Sequence, residues 1–455
     1  MGIVEKGKVK MANIKPFRGY RYNTEKIDSL SSIVSPPYYN MTTEDKNAFY
    51  EKSPYNSVRL FAGKKKETDT AEDNIFTRAK NYLNDWIKNE ILVRDKEPVI
   101  YMYEQTIAVA SEALYSNISF VALVELEDFG SGVIMPCEKP HEVSMGDRYE
   151  LLAATNADLS MINCLYVEKE KDLYNLMNEL HEEKPDIEFS SSAPAGENLH
   201  QKLWKISYQP TIDFIVEQFK DLPLYITDGQ TRYETCLQYR NYMKANNPNH
   251  TGKEPYNYAM VSLANSKSDG LVMLPVHRGV KCPRKFSEAM FLANSQDHFK
   301  MEKIIVDSGD KDLIDTMLKQ IVTVKNETRI SAYCGGNYFY RMILNNDDYL
   351  KKEVYPEMSK EYCHLDIVAL NKLIIDEVFH IDDEEKYEQY VHATRSYNAC
   401  FRGVNDGTYD IMFVLNPVKV DQIRNITAVG EWLPELTVSV YPKPSVGVLI
   451  NVKDE

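Results

Sequence analysis

No run of about 18 apolar residues occurs in this chain, so no part of it is long enough to cross a bilayer as a helix. The opening residues, MGIVEKGKVKMANIKPF, lack the apolar core of a secretory signal, and Lys6 stands where a myristoylation signal needs Ser or Thr. The expected location is the cytoplasm, with no membrane partner. Cysteine is sparse: the seven, at 137, 164, 236, 282, 334, 363 and 400, form no CxxC pair. Such a scattered, odd set reads as reduced thiols in a core, not as a disulfide framework or a structural zinc site. No P-loop, GxGxxG, GxSxG or HExxH is present, which removes the standard nucleotide, hydrolase and zinc-protease motifs. Positive charge is also short, with 53 Lys and Arg against 68 Asp and Glu and a formal net charge of -15. That field repels phosphate backbones, so nucleic acid is not an expected partner.

What is there is a globular composition: 455 residues, 43% hydrophobic and 27% charged, without repeats or low-complexity tracts. Between Thr70 and Asn89 the apolar Ile75, Tyr82, Leu83, Trp86 and Ile87 recur at helical steps, which predicts one buried helix face. EPVIYMYEQTIAV and ISFVALVELEDFG, rich in Val, Ile, Tyr and Phe, read as paired strands. The first sixty residues, with Pro-led turns, read as strands and tight connections. Later helices are expected at 147–156, in KDLYNLMNELHEEK, IDFIVEQFKDL and TRYETCLQYRNYMKANN, over 359–379 and in EEKYEQYVHAT. Strands are expected in LSMINCLYV, HQKLWKISY, PLYITD, EPYNYAMVSLAN, LVMLPVHRGV, TYDIMFVLNP and SVGVLINV. The expected class is α/β: layered mixed sheets, flanking helices and a central βα anion-binding unit. APAGENLH is the best internal boundary by its turn residues, with a strand pair across it as the alternative. A soft break near residue 215 divides an N-terminal mixed α/β part, 1–215, from a C-terminal α/β part, 216–455; one compact unit is the alternative.

In LYITDGQTRYETC, residues 224–236, an apolar strand meets Asp-Gly and then a helix start. Gly229 permits a tight turn, and the N–H groups of the following first turn make a natural anion site. Arg232 would add a guanidinium fork, while Asp228 would orient a hydroxyl, hold Mg2+ or act as a base. Alternatively Asp228 caps the helix and Arg232 pairs with Glu150 or another acid. MPCEKPHEVSMGDRYELL gathers Cys137, Glu138, His141, Glu142, Asp147 and Arg148 on one loop, the kind of density at which acid and base pairs occur. Lys15, Arg18, Arg21, Arg59, His277 and Arg278 add groups suited to a phosphorylated ligand, although each alone also reads as surface charge.

The segments IKPFRGYRYN, VSPPYYNM, SPYNSVRL, GVIMPCEKPHEVSMGDRYELLAATNADLS, LYITDGQTRYETC, NPNHTGKEPYNYAMVSL, LPVHRGVK, LDIVALNKLII, FVLNPVKVDQI and YPKPSVGVLI resemble, in order, the prokaryotic domain-of-unknown-function family 1015. The resemblance runs from about Lys15 to Ile450. The family's central motif, Asp-Gly-His-His-Arg, is similar to the phosphate-binding motif of ParB and sulfiredoxin-like proteins, a superfamily that includes nucleotide-dependent free serine kinases. The resemblance implies a βα unit of that type and phosphotransfer from a nucleotide to a small hydroxyl metabolite such as a hydroxy amino acid. This chain departs from the family pattern: Gln230 and Thr231 replace two histidines, Cys137 a third, and Leu436 a lysine. Asp228, Arg232, Glu138, Asp147, Arg148 and Lys443 keep the pattern.

Two functions are compatible with these residues. One is a divergent phosphotransferase with Glu138 or Asp228 as base and His141 in place of a lost imidazole. Its phosphates would meet Gly229, Gln230, Thr231, Arg232, Asp147, Arg148, Arg59, Arg278 and Lys443, and Asp228 would hold Mg2+ arriving with ATP or ADP. The other is a silenced relative that binds a nucleotide or phosphorylated ligand as a sensor or regulatory module. Both take small molecules as partners, and a homodimer is left open.

Overall fold

The structure, a computed structural model, describes residues 12–37, 41–109, 113–140, 146–192, 198–268, 270–306, 313, 316–317, 319–320 and 327–454. The chain forms two compact units. The first comprises Met1–Pro136, Pro140–Val272 and Val440–Glu455; the second comprises Cys137–Lys139 and Met273–Ser439. The break expected near residue 215 falls inside a helix of the first unit. That helix buries Ile212, Ile215 and Phe219 in the same core as Trp204 and Ile206 before it and Leu224 and Ile226 after it, so the chain does not part there.

The fold is mixed α and β. The first unit is built on nine strands: β1 (Ile14–Lys15), β2 (Ile100–Val109), β3 (Ala113–Glu125), β4 (Ile134–Pro136), β5 (Ile162–Tyr166), β6 (Ile187–Ser192), β7 (Asn198–Ile206), β8 (Leu224–Asp228) and β9 (Tyr258–Asn265). They lie in the order β4-β8-β5-β9-β3-β2-β7-β6, with β1 beside β3. The β4–β8 and β5–β9 pairs are parallel, the others antiparallel.

Both faces of this sheet are buried, which is why its strands read as nearly unbroken apolar runs. Along β2, Ile100 and Met102 enter one core while Tyr101 and Tyr103 enter the other. Along β3, Phe120, Ala122 and Val124 alternate with Val121 and Leu123 in the same way. Among the described residues, five helices pack on these faces: α2 (Ile75–Lys88), α3 (Asp147–Thr155), α4 (Asp172–His181), α5 (Gln209–Phe219) and α6 (Gln230–Asn246). The face predicted for α2 is present, with Leu83 and Trp86 buried beside Tyr22, Leu92 and Leu449. Asn74 caps its start, accepting from the N–H groups of Phe76 and Thr77.

The opening sixty residues depart from the expectation, for they include α1 (Thr43–Lys52). Its start is a capping box in which Thr42 accepts from the N–H of Asp45 and Asp45 from that of Thr42, a local signal outweighed in the sequence by neighbouring prolines. A second departure is at EEKYEQYVHAT, where the helix stops at Tyr390 and Val391–Thr394 forms a strand. A third is 359–379, which is broken into Lys360–Cys363, Asp366–Leu370 and a wider turn over Asn371–Asp376.

Among its described residues the second unit carries six antiparallel strands: β10 (His277–Val280), β11 (Phe299–Ile305), β12 (Arg329–Tyr333), β13 (Tyr338–Leu344), β14 (Val391–Thr394) and β15 (Ile411–Val414). Their order is β11-β13-β12-β15-β10-β14. Tyr333, Phe339, Met412 and Val414 pack against Cys400, Phe401 and Val404 of the helix Tyr397–Asn405.

After the second unit the chain rejoins the first, and residues 440–455 are tied into it. Ser35 and Val446 exchange backbone bonds of 3.0 and 2.8 Å, and Tyr20 N–H donates to the Ile450 carbonyl at 2.8 Å. Lys453 Nζ lies 2.9 Å from Asp158 Oδ2, with side chains 1% and 6% exposed. The same carboxylate accepts from Asn451 Nδ2 at 2.8 Å and from Met260 N–H at 3.1 Å. Among the described residues no helix is long and apolar enough to cross a membrane.

Removing one member of a buried pair strands the other, at a cost of about 3–5 kcal/mol. Lys453→Met is therefore expected to lose about that much in denaturant unfolding, and adding Asp158→Asn to recover much of it. A Lys453→Met variant as stable as the wild type would show that the pair does not hold the C-terminal segment in place.

Candidate functional site

The abrupt end of β8 has a local cause. Its register against β5 shifts between Ile226 and Asp228, a bulge that re-aims the last side chain of the strand. Thr227, inside the bulge, is held by Asn163, whose carbonyl accepts its hydroxyl at 3.3 Å. Gly229 follows with φ +81° and is the N-cap of the 17-residue α6, without a side-chain cap. The N-cap position is thus Gly229, one residue after Asp228.

Arg232, one turn in, folds back under the glycine: a Cβ at 229 would lie 3.1 Å from Arg232 Nη1. Its Nη2 is 3.8 Å from Asp228 Oδ2, and its Nη1 donates to the Met161 carbonyl. These partners take the place of the Glu150 considered from sequence. Gln230 Nε2 donates to Glu234 Oε1 at 3.2 Å within the helix, and Thr231 is exposed beside it.

The decisive contact comes from the other end of the chain. Lys443 Nζ forms an ion pair with Asp228 Oδ1, with side chains 5% and 10% exposed. The Lys443 backbone is placed by Gln105 of β2, whose Nε2 donates to its carbonyl at 3.0 Å. Asp228, Gly229, Arg232 and Lys443 are thus brought together although Lys443 is 215 residues from Asp228. The cluster offers a carboxylate between two cations beside the N-terminus of a long helix.

That donor set does not fit a resident Mg2+. A divalent cation at Asp228 would sit against Lys443 and Arg232, and among the described residues no group of three or more His, Cys, Asp or Glu could hold a metal ion.

The other residues singled out from sequence have different surroundings. Asp147 opens α3, exposed and 3.2 Å from Lys65 Nζ, and Arg148 follows it on the surface. Arg59 donates to the Tyr50 carbonyl at 2.7 Å with its guanidinium 4.4 Å above the Tyr50 ring. Arg18 and Arg21 both serve Asp95, through its carbonyl and its carboxylate, and Lys15 lies 3.7 Å over the Tyr258 ring. His141 lies outside the described residues.

In the second unit Arg278 is fully buried, and its guanidinium makes five N–H bonds within the protein. They go to the Tyr387 hydroxyl and to the carbonyls of Val276, His277, Glu435 and Leu436. With its donors used there, Arg278 acts as an internal brace instead of the expected phosphate clamp. Glu138 accepts from the N–H groups of Thr437 and Val438 at 3.0 and 3.2 Å; burial pushes its carboxyl above the usual range. Leu436, where the family pattern has lysine, is exposed with φ +53°. Burial lowers His277 to about 4, so it is neutral, and its Nδ1 accepts from Leu415 N–H at 3.2 Å. Asp366 is raised to about 6, first by burial, while accepting from Asn416 N–H at 2.7 Å.

Two charged clusters escaped the sequence reading. Asp158 and Lys453 are one; Glu104 on β2 is the other. Its carboxylate accepts from Ser116 Oγ, meets His181 Nε2 at 3.1 Å and lies 3.4 Å from Lys202 Nζ. Burial raises its pKa, but the Ser116 hydrogen bond and the charges of His181 and Lys202 bring it below the usual value. The available signal was a Glu inside the apolar run VIYMYEQTIAV, which needs partners when the strand is buried.

The fold and site define a mixed α/β protein with an Asp–Lys pair at a strand–glycine–helix turn. The family model described as "Protein of unknown function (DUF1015)" matches residues 14–394, and the chain belongs to that family. No curated protein matches the sequence. Among solved structures, similarity extends to a free serine kinase in complex with AMP, at 9% identity and TM-score 0.34, covering 73% of this chain and 91% of that one. It also extends to SbnI with a C-terminal truncation from Staphylococcus aureus, at 10% identity and TM-score 0.33, covering 74% and 90%. A conserved hypothetical protein from Pyrococcus furiosus has 9% identity and TM-score 0.33, covering 73% and 95%. These likenesses are too slight to transfer a function.

A side chain at position 229 must adopt positive φ and push on the Arg232 guanidinium. Gly229→Ala is expected to lose about 1–2 kcal/mol in denaturant unfolding, and an unchanged stability would contradict the observed turn.

For Asp366, the folded state prefers the protonated acid. This contribution to stability is present below the ordinary carboxylate range, near pH 4, and fades as pH rises through about 6. Asp366→Asn is expected to remove that loss, so unfolding curves from pH 4 to 7 should show the variant gaining on the wild type as pH rises. A constant difference would mean that burial does not raise this group.

Proposed function

We propose that the Asp228–Gly229–α6 turn binds the phosphates of a nucleotide, and that this chain is a divergent phosphotransferase acting on a small hydroxyl compound such as a hydroxy amino acid. The observation that carries this reading is the buried Asp228–Lys443 pair at the N-terminus of α6. The Lys443 ammonium, paired with Asp228, lies where it would meet the negative charge of phosphoryl oxygens. The first-turn N–H groups of α6 and the Arg232 guanidinium add to the same field.

In this reading Asp228 accepts the proton of the substrate hydroxyl as that oxygen attacks the terminal phosphorus of ATP or ADP. The bond from phosphorus to the bridging oxygen breaks, and the shortened nucleotide leaves with the electron pair. Asp228 is preferred to Glu138 because the Glu138 carboxylate is engaged by backbone N–H groups in the second unit. The family resemblance of the Asp-Gly-x-x-Arg motif supports the assignment of phosphates to this turn.

One observation favours a second reading. Gln230, Thr231 and Cys137 cannot shuttle protons as the family's histidines would, and each loss commonly costs about a factor of 10² or more in rate. A chain that keeps Asp228, Arg232 and Lys443 without those groups would bind its ligand as a sensor.

Phosphorus NMR with ATP or ADP and serine, beside calorimetric titration of the nucleotide alone, separates the two. The phosphotransferase reading expects a new phosphomonoester signal that Asp228→Asn reduces by about 10² or more with the fold intact, and nucleotide binding that Lys443→Met weakens about tenfold or more. Undiminished turnover in folded Asp228→Asn would overturn the proposed base. Binding without turnover selects the sensor, and absence of binding defeats both.

A further inference from the structure

The first unit contains a cavity of about 210 Å³ between α4 and the sheet, lined by Ser116, Ile118, Tyr174, Met177, Asn178 and Ser268. It is a different place from the Asp228 turn. In register, Asp228 aligns with Asn163, Asn163 with Ser262, and Ser262 with Val121 of β3. Ser116 precedes Val121 by five residues on that strand, about 17 Å along it.

The cavity has an apolar side and a polar side. Ile118 and Met177 supply the first. On the other side Ser116 donates its hydroxyl proton to Glu104 and accepts from Thr106 Oγ1 at 2.8 Å, which leaves one lone pair for a ligand. A hydroxyl that donates to a carboxylate is itself a stronger acceptor, because charge is pushed onto its oxygen. Glu104 is 4% exposed and fixed from three other directions: Thr106 Oγ1 at 3.4 Å, His181 Nε2 at 3.1 Å and Lys202 Nζ at 3.4 Å. Tyr174, Asn178 and Ser268 contribute further oxygens that can accept.

We propose that this cavity is a second ligand site, and that it takes a small primary amine on a short alkyl chain, of the size of an amino alcohol. The ammonium would donate to Ser116 Oγ, with Glu104 behind it, and the alkyl chain would lie on Ile118 and Met177. A carboxylate of equal size finds no hydroxyl proton at Ser116, because that proton is given to Glu104, and is disfavoured there. Four of the lining groups and their support, Tyr174, Met177, Asn178 and His181, belong to α4, so occupation ties that helix to β3. The site is independent of the phosphate turn, and its test does not depend on phosphotransfer.

The test is methionine-methyl NMR of the full chain, with the Met177 signal assigned by Met177→Leu. The probes are 4-amino-1-butanol, n-butylamine and butyrate. The two amines are expected to shift the Met177 methyl signal saturably, in about the millimolar range reached by ligands of about six heavy atoms. Butyrate is expected to leave it unchanged. Ser116→Ala should weaken the amines about tenfold or more, and Asn178→Leu, at the exposed rim, should weaken them with the fold undisturbed. No shift with either amine, a shift with butyrate equal to that with butylamine, or full binding by both folded variants would overturn the proposal.

Discussion

A lysine withdrawn from water must find an acid, and two such lysines fasten the end of this chain into its first unit. Lys443 meets Asp228 and Lys453 meets Asp158, each pair largely hidden from solvent. A buried ion pair adds little net stability over an apolar packing of the same shape, but breaking one is costly, so such pairs specify register. Here they decide where residues 440–455 lie after the chain has built the second unit. The candidate site depends on that return, because its ammonium is carried by the segment being fastened.

The sheet explains why charged groups occur in its interior at all. With both faces covered, an ionised side chain on a central strand has no route to water and must be satisfied in place. Glu104 of β2 is met by Ser116, His181 and Lys202; Asp158, on a short strand Ala157–Asp158 that pairs with Asn451–Val452 outside this sheet, is met by Lys453, Asn451 and the Met260 N–H. The two clusters are built alike, but only Glu104 is connected through a hydroxyl to an open cavity. The bulge before Asp228 turns that residue out of the strand pattern.

The arginines show how residue type alone misleads. Arg18, Arg21, Arg59 and Arg278 have the charge and planar fork that phosphate binding favours, yet each is occupied with carbonyls, carboxylates or aromatic rings of its own protein. A guanidinium is as well suited to gathering several backbone carbonyls as to a ligand. Arg278 does so for the Glu435–Leu436 stretch, where Leu436 takes a positive φ. Only the spatial surroundings separate the two uses.

Much of the layout could be read from the chain. Runs rich in Val, Ile, Tyr and Phe announced paired strands, the spacing of Leu83 and Trp86 gave the face of α2, and Asp-Gly before TRYETC located the strand–glycine–helix turn. These features are local, set by side-chain periodicity and by the conformational freedom of one glycine, so a short window suffices. The Asp228–Lys443 and Asp158–Lys453 pairs, the internal engagement of Arg278 and the position of Ser116 against Glu104 were settled by tertiary structure. Each joins residues far apart in sequence, or turns on whether a charged group is left facing solvent, and burial is a property of the assembled sheet and helices rather than of any stretch of the chain.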